Sequence, residues 1–201
     1  MPYVFSLLLL LVLSVPAGAQ SAGPPAFVVG DSWTMSSGFV QRVIKAEGDV
    51  TVMKGMGNCP TCLVYVDKNL ALLKVEQADG TPPDSVAIGF VPVGTDWKLV
   101  DFPLETGKKW NFGAKGLFRN LVNHYDVGNT VQAYEDVSTK AGTFQAFKIA
   151  RDWTIRPRDN RARGFSWSTT DWYAPSIKRI VKFTTTNPNQ QDWELVSYTV
   201  K

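Results

Sequence analysis

The chain has one histidine and two cysteines among its 201 residues, and that scarcity excludes a good deal of chemistry. A structural zinc site takes four ligands, more than His124, Cys59 and Cys62 can offer. Attachment of a c-type haem needs a histidine directly after the second cysteine, and Leu63 stands there. A hydrolytic triad would need His124 as its base. No nucleophile elbow of the G-x-S-x-G type accompanies it, and beside Asn123, Tyr125 and Asp126 it reads as a surface or strand-end residue. Phosphate-binding loops are also missing. Gly107 and Lys108 lack a glycine five residues before Gly107, and after Gly55 and Gly57 the dinucleotide pattern meets Pro60 where it requires glycine. No metal ligands, cofactor or catalytic residues are therefore assigned, and the expectation is a protein that is not an enzyme. Carboxylates on distant strands leave no spacing signature. A hydrolase built from Glu76, Glu105, Asp171 and Glu194 accordingly remains as an alternative.

Charge is sparse as well. Only 19% of residues are charged and the net charge is +3, without the concentrated basic face of a nucleic-acid binder. The sequence contains no Asn-x-Ser/Thr acceptor, which leans towards a bacterial source. The longest apolar run lies near the start, from Leu7 to Leu13, and is shorter than the roughly 20 residues of a membrane-spanning helix. It leads through Pro16 into the small residues Ala17, Gly18 and Ala19, the pattern of an export signal. Residues 1–19 are read as a signal peptide and 20–201 as a single β domain. Ala19 and Gln20 occupy the cleavage point where a lipid anchor would need cysteine. The expected product does not span the membrane and is periplasmic or secreted.

What the mature chain does have is aromatic and β-branched residues: 12% aromatic, with seven tryptophans, enough to build a core without staples. Alternation is plainest in the second half. Phe147, Ile149 and Trp153 share one face of 143–153, and Ile177, Val181 and Phe183 are placed on one face of 177–185. Segments 130–137, 165–173 and 193–200 behave likewise, separated by Gly, Pro, Asn and Asp clusters. In the first half, 33–45, 50–54, 63–66, 70–77, 86–93 and 97–100 read as strands. The 70–78 stretch also permits a helix, but Asp67, Lys68 and Asn69 resemble a hairpin turn and favour a strand. Two segments echo each other: FVVGDSW at Phe27 to Trp33 and FPLETGKKW at Phe102 to Trp110 both carry G-x-x-W. By itself this supports only antiparallel halves. The predicted fold is all-β, an antiparallel curved sheet forming a half-barrel or sandwich of about ten strands. Trp33, Phe144 and Trp172 fall out of phase with their neighbours, a hint of bulges, a covered outer face or a lined cavity.

The sharpest local motif is Cys59, Pro60, Thr61, Cys62. A redox dithiol places its first cysteine at a helix N-terminus, whereas the segment after Cys62 continues as a strand. The pair is read as a structural disulfide that pinches a hairpin loop. Arg156, Arg158, Arg161 and Arg163 gather on one loop; it is either a solvated hairpin tip or a contact for anionic headgroups or an acidic envelope protein. Most aromatic residues are assigned to the sheet interior, and Trp97, Trp167, Trp172 and Tyr173 are singled out as candidates for contact with a lipid or other apolar small molecule.

GDSW, FPLETGKKW, KAGTFQAFKI, DWYAPSIKRIVKF and WELVSY together resemble an uncharacterised family of bacterial envelope proteins, a domain of unknown function. The resemblance implies an antiparallel sheet curved like half a barrel, similar to periplasmic lipoprotein carriers. By that analogy it implies an apolar or amphipathic ligand on the concave face, with a structural or protein-interaction module of the envelope as the alternative. Ala141 and Gly142 supply a tight turn, with positive φ expected at Gly142. Pro175 ends the aromatic strand so that Ile177 can return. These motifs therefore read as scaffold.

Overall fold

The structure is a computed structural model and describes residues 20–84, 91–94, 97–118, 121–157 and 164–201. The proposed signal peptide, Arg158, Arg161 and Arg163 lie outside the described residues. In chain order the strands are β1 Ser21–Ala22, β2 Ser32–Met35, β3 Val40–Glu47, β4 Val50–Met56, β5 Cys59–Asp67, β6 Leu72–Glu76 and β7 Val91–Val93. They continue with β8 Leu104–Glu105, β9 Lys109–Phe118, β10 Leu121–Thr139, β11 Gly142–Pro157, β12 Phe165–Ala174, β13 Arg179–Thr185 and β14 Trp193–Thr199. A 3-10 turn at Pro175–Ile177 precedes β13.

Twelve strands form one sheet in the order β6-β5-β4-β3-β2-β14-β13-β12-β11-β10-β9-β7, and β1 pairs with β8 in a separate ribbon. Every pairing is antiparallel. Two meanders make up this sheet: β2 to β6 are successive neighbours, and so are β9 to β14. The head of the first meander pairs with the tail of the second at β2-β14, while β9 pairs with β7. The two sheet ends also meet, because β6 touches β7 and the Leu72 N–H donates to the Trp97 carbonyl at 3.1 Å. The sheet thus bends into a nearly closed barrel, the curved form expected, with more strands than the alternation suggested.

The additional strands have identifiable causes. Segment 33–45 is two strands, because the chain turns where Gly38 N–H donates to the Met35 carbonyl at 2.9 Å and Met35 N–H donates to that of Phe39 at 2.8 Å. Strand β9 contains Gly113 and Gly116, and the first half of β10 contains Asn123, Asp126, Gly128 and Asn129; such residues read as turns when seen alone. In 97–100 only Trp97 makes a β-bridge. Segment 177–185 opens with the 3-10 turn, and of 86–93 only Val91–Val93 is described as strand.

Register shifts interrupt the ladder at Val43/Lys45, Val131/Ala133, Trp172/Tyr173 and Leu195/Ser197. Bulges of this kind bend a strand and increase its twist, which closure of so many strands demands. The shift at Trp172/Tyr173 leaves Val181 of β13 as the extra residue, and Trp172 itself keeps the alternation of β12 as an outward residue between the buried Asp171 and Tyr173.

The G-x-x-W echo is a repeated piece of structure. Gly30 N–H donates to the Val43 carbonyl at 2.9 Å, and Val43 N–H returns to that of Asp31 at 2.8 Å. Gly107 N–H donates to the Val131 carbonyl at 2.8 Å, and Val131 N–H returns to that of Lys108 at 2.9 Å. Gly30 and Gly107 take φ of 99° and 88°, a region that strongly favours glycine. Both clamped valines are fully buried and sit at bulges. Each motif therefore starts one meander and grips the bulge of its second strand.

The seam between the meanders is locked by Asp31, which has no exposed surface. Its carboxylate accepts from Lys178 Nζ at 2.9 Å, Val28 N–H at 3.0 Å and Lys201 N–H at 2.9 Å. Trp33 Nε1 donates to the Ile177 carbonyl at 2.9 Å, and the Arg179 guanidinium lies over the Trp33 ring at 5.6 Å. The GDSW and PSIKR segments thus meet across the molecule, as scaffold elements would. Gly142 has φ of 130° beside the two-residue turn at Lys140 and Ala141, where Thr139 Oγ1 accepts from the Ala141 N–H at 3.2 Å.

Candidate functional site

Alternation assigns every strand an inner and an outer face, and the second meander shows what the inner face carries. On β10 the buried inward residues are Tyr125, Val127, Asn129 and Val131; on β11, Phe147, Ile149 and Arg151; on β12, Trp167, Thr169, Asp171 and Tyr173. Pairing of Trp153 with Trp167 stacks their rings at 5.5 Å and 5°. Phe165 also stacks with Trp167 at 5.5 Å, and Phe112 of β9 meets Trp153 edge-on at 6.3 Å. A ladder of rings consequently crosses β9, β11 and β12.

Beside this ladder lies a polar rung. Arg151 is 2% exposed and Asp171 4%. Arg151 Nε donates to Asp171 Oδ2, and its Nη1 donates to Asn129 Oδ1 at 2.6 Å. Asn129 Nδ2 is held in turn by the carbonyls of Trp110 at 3.2 Å and Val127 at 3.4 Å. Arg151 Nη2 has no acceptor, and neither does Trp167 Nε1. Trp153 Nε1 is satisfied by Thr169 Oγ1 at 3.0 Å.

The four aromatic candidates do not form one site. Trp97 is fully buried, packs on Tyr125 at 5.0 Å and Phe112 at 6.3 Å, and donates to the Lys115 carbonyl at 2.9 Å. Trp167 belongs to the ladder. Tyr173 is buried, with its ring edge-on to Phe102 at 5.5 Å; burial pushes its phenol well above the usual range, and Arg179 only partly offsets this. Trp172 faces the other way, as its neighbour on a strand must. Its Nε1 donates to Glu135 at 2.9 Å on the outer face, with Lys148 and Lys182 over the ring at 5.7 and 5.6 Å. Arg179 retains some solvent contact, but its guanidinium is packed against Trp33, Met53 and Tyr173, and burial pushes its pKa down to about 10.

Of the arginine loop, Arg156 is described: it is exposed and ion-paired with Asp126. His124 is exposed on β10, opposite Arg156 and Lys115. The four carboxylates considered for hydrolysis are dispersed, each with its own partner. Glu76 holds Lys74 and Tyr65, Glu105 accepts from Ser21, Asp171 pairs with Arg151, and Glu194 lies 3.8 Å from Lys140. Lys74 and Tyr65 together hold the Glu76 carboxyl below its ordinary value.

Cys59 and Cys62 are joined by a disulfide at the start of β5, where Cys59 pairs with Met56 across the β4-β5 hairpin. The closed loop is short, so the chain-entropy model values it at about 2 kcal/mol. The Cys59→Ser/Cys62→Ser double variant is expected to fold with its β-sheet circular dichroism intact and to lose about that much stability in urea. A protein that no longer folded would contradict the assignment of a local staple.

Sequence reasoning missed Arg151 and Asn129 and considered Asp171 only as an acid. The signal was there. Arg151 sits in the inward phase between Ile149 and Trp153, Asp171 between Thr169 and Tyr173, and Asn129 between Val127 and Val131. A charge on an apolar face is a buried charge that needs a partner.

These features define a nearly closed antiparallel β-barrel whose inner wall, among the described residues, carries an aromatic ladder and an ionic rung. No protein-family model and no curated protein sequence matches the chain. Among solved structures it is similar to a lipoprotein, so designated by inference, from Parabacteroides distasonis ATCC 8503. The TM-score is 0.50 at 12% identity, over 90% of this chain and 100% of that one. It is also similar to an inferred exported protein with a YmcC-like fold from Bacteroides fragilis NCTC 9343, with TM-score 0.43, 14% identity and coverage of 89% and 99%. A third is the hypothetical lipoprotein YmcC from Escherichia coli K12, with TM-score 0.46, 9% identity and 85% of each chain. At such identities the likeness is one of fold. The names of all three are those of exported proteins or lipoproteins.

Proposed function

We propose that the mature chain is an exported, non-enzymatic protein of a bacterial cell envelope, periplasmic or released, which holds a lipid or other apolar or amphipathic small molecule against the concave face of its sheet. The observation that carries this reading is the inner-face ladder of Phe112, Trp153, Trp167 and Phe165. Large rings offer wide, stiff apolar area to a ligand. Outward positions on the same strands favour water over lipid: Asp126 pairs with Arg156, Lys148 lies 3.9 Å from Glu135, and Ser168 donates to Asp152 at 2.8 Å. Charges like these are costly on a lipid-facing barrel wall.

The test is mass spectrometry of organic extracts of the mature protein, purified from its native envelope without added detergent. A lipid or other amphiphile is expected at near-stoichiometric amount. Protein that is free of such molecules and instead retains a specific envelope protein would favour the interaction-module alternative and overturn the carrier reading.

A further inference from the structure

We infer that the polar rung on the inner face of β10, β11 and β12 is the head-group site of that ligand, and that it takes an anionic oxygen acceptor, the carboxylate or phosphate of a single-chain amphiphile. This inference rests on the carrier reading and adds the chemistry of the ligand's polar end. Arginine has five N–H donors in a fixed planar fork. Asp171 takes Nε, Asn129 takes Nη1, and Asn129 is itself anchored on two main-chain carbonyls. The guanidinium is thereby held in one orientation, with its Nη2 edge presented and unanswered although the side chain is almost wholly buried.

A second unanswered donor stands one inward rung away. Arg151 pairs with Thr169 and Trp153 with Trp167, so Arg151 and Trp167 are diagonal neighbours on adjacent strands. Thr169 Oγ1 already accepts from Trp153, and Trp167 Nε1 has no acceptor in a residue that is 9% exposed. Two buried donors without acceptors are costly to retain unless something accepts from them. A carboxylate or phosphate has enough lone pairs for both.

Charge agrees with an anion. Among the described inward side chains of this region Asp171 neutralises Arg151, and Arg179 adds a further cation packed on Trp33, Met53 and Tyr173. The rings of Trp153, Trp167 and Phe165 lie next to the donors, where an acyl chain leaving the head group would run.

The experiment is calorimetric titration of the delipidated full mature protein with dodecanoate, dodecyl phosphate and dodecyltrimethylammonium, all below their micellar concentrations. The three share one chain, and only the first two carry acceptor oxygens. At least one of those two is expected to bind about tenfold or more tightly than the ammonium amphiphile, and which of them leads distinguishes a carboxylate from a phosphate ligand. Trp167→Phe keeps a stacked ring and removes one donor, and is expected to weaken binding of the preferred anion about fivefold to tenfold more than it weakens binding of the ammonium amphiphile, which shares the chain contacts alone. Arg151→Lys keeps the charge and removes the Nη2 edge; it provides the same comparison if Trp167→Phe does not fold. Equal binding of all three amphiphiles would overturn the head-group assignment and leave the carrier reading standing. Anion preference untouched by both variants would also overturn it, and binding of none of the three would remove both readings.

Discussion

Arg151→Met is expected to lower the unfolding free energy by about 3–5 kcal/mol, because it leaves the Asp171 carboxylate buried without its counter-ion. For a domain of this length that corresponds to a fall in Tm of roughly 10 °C. The loss comes from the orphaned charge and much less from a missing contact. Asn129 and Asp171 would both lose their donor in a setting where Asp171 is 4% exposed and Arg151 2%. Arg151→Met/Asp171→Leu removes both charges and should recover most of the stability, as apolar replacements of buried ion pairs often do. Urea unfolding of the two variants beside the parent decides the matter. If the double variant were no more stable than Arg151→Met alone, the rung would be held by packing and the ion pair would not be its organising element. A stable double variant would also bear on function. An ion pair that stability does not require, kept on the inner wall beside two unanswered donors, makes sense as ligand-binding chemistry.

Asp31→Ala is expected to cost about 3 kcal/mol, since it removes at one stroke the acceptor of Lys178 Nζ and of the Val28 and Lys201 N–H groups. The pH dependence carries the clearer signature. Burial by itself would raise the Asp31 carboxyl, but the hydrogen bond from Lys178 and those from Val28 and Lys201 outweigh it, and the net displacement is below the ordinary value. A carboxyl depressed in the folded state contributes stability that is fully present above its unfolded pKa of about 3.9 and is lost as pH falls through the lower folded value. Asp31→Asn should therefore have a shallower acid limb of stability, with the difference from the parent confined to pH values below about 5 and growing as pH falls through the depressed folded value. Superimposable acid limbs for the two proteins would show that the lock does not depend on the charge. Asp101 and Glu76 are also depressed by neighbouring lysines, so the acid limb should shrink without vanishing.

The strand character of this chain was legible because alternation is a local property. Phe147, Ile149 and Trp153 announce an inward face without reference to any other strand, and Gly142 announces its turn. Strand β9 and the head of β10 were not legible, since Gly113, Gly116, Asn123 and Gly128 have weak strand preference and form strands only because the neighbouring ladder supplies partners. The G-x-x-W echo was visible as letters, yet its meaning lies in Val43 and Val131, which follow the glycines at different distances along the chain. Trp172 shows the limit of composition: it and Tyr173 are adjacent aromatics that one could assign to one site, and the pleat sends them to opposite faces.

The candidate site was read in part. Trp167 and Tyr173 were chosen for their size and lie inside, as does Trp97, whereas the residues that give the interior its chemistry were chosen by none of the size-based reasoning. Patterns of period two and turn residues are properties of neighbours in sequence, so all-β character and hairpins could be read directly from the order of residues. Closure of the sheet, the bulges gripped by Gly30 and Gly107, and the meeting of Asn129, Arg151 and Asp171 depend on cross-strand register between positions some twenty residues apart. A one-residue slip in that register would send each of these side chains to the opposite face, and only packing of the whole barrel selects one register over another.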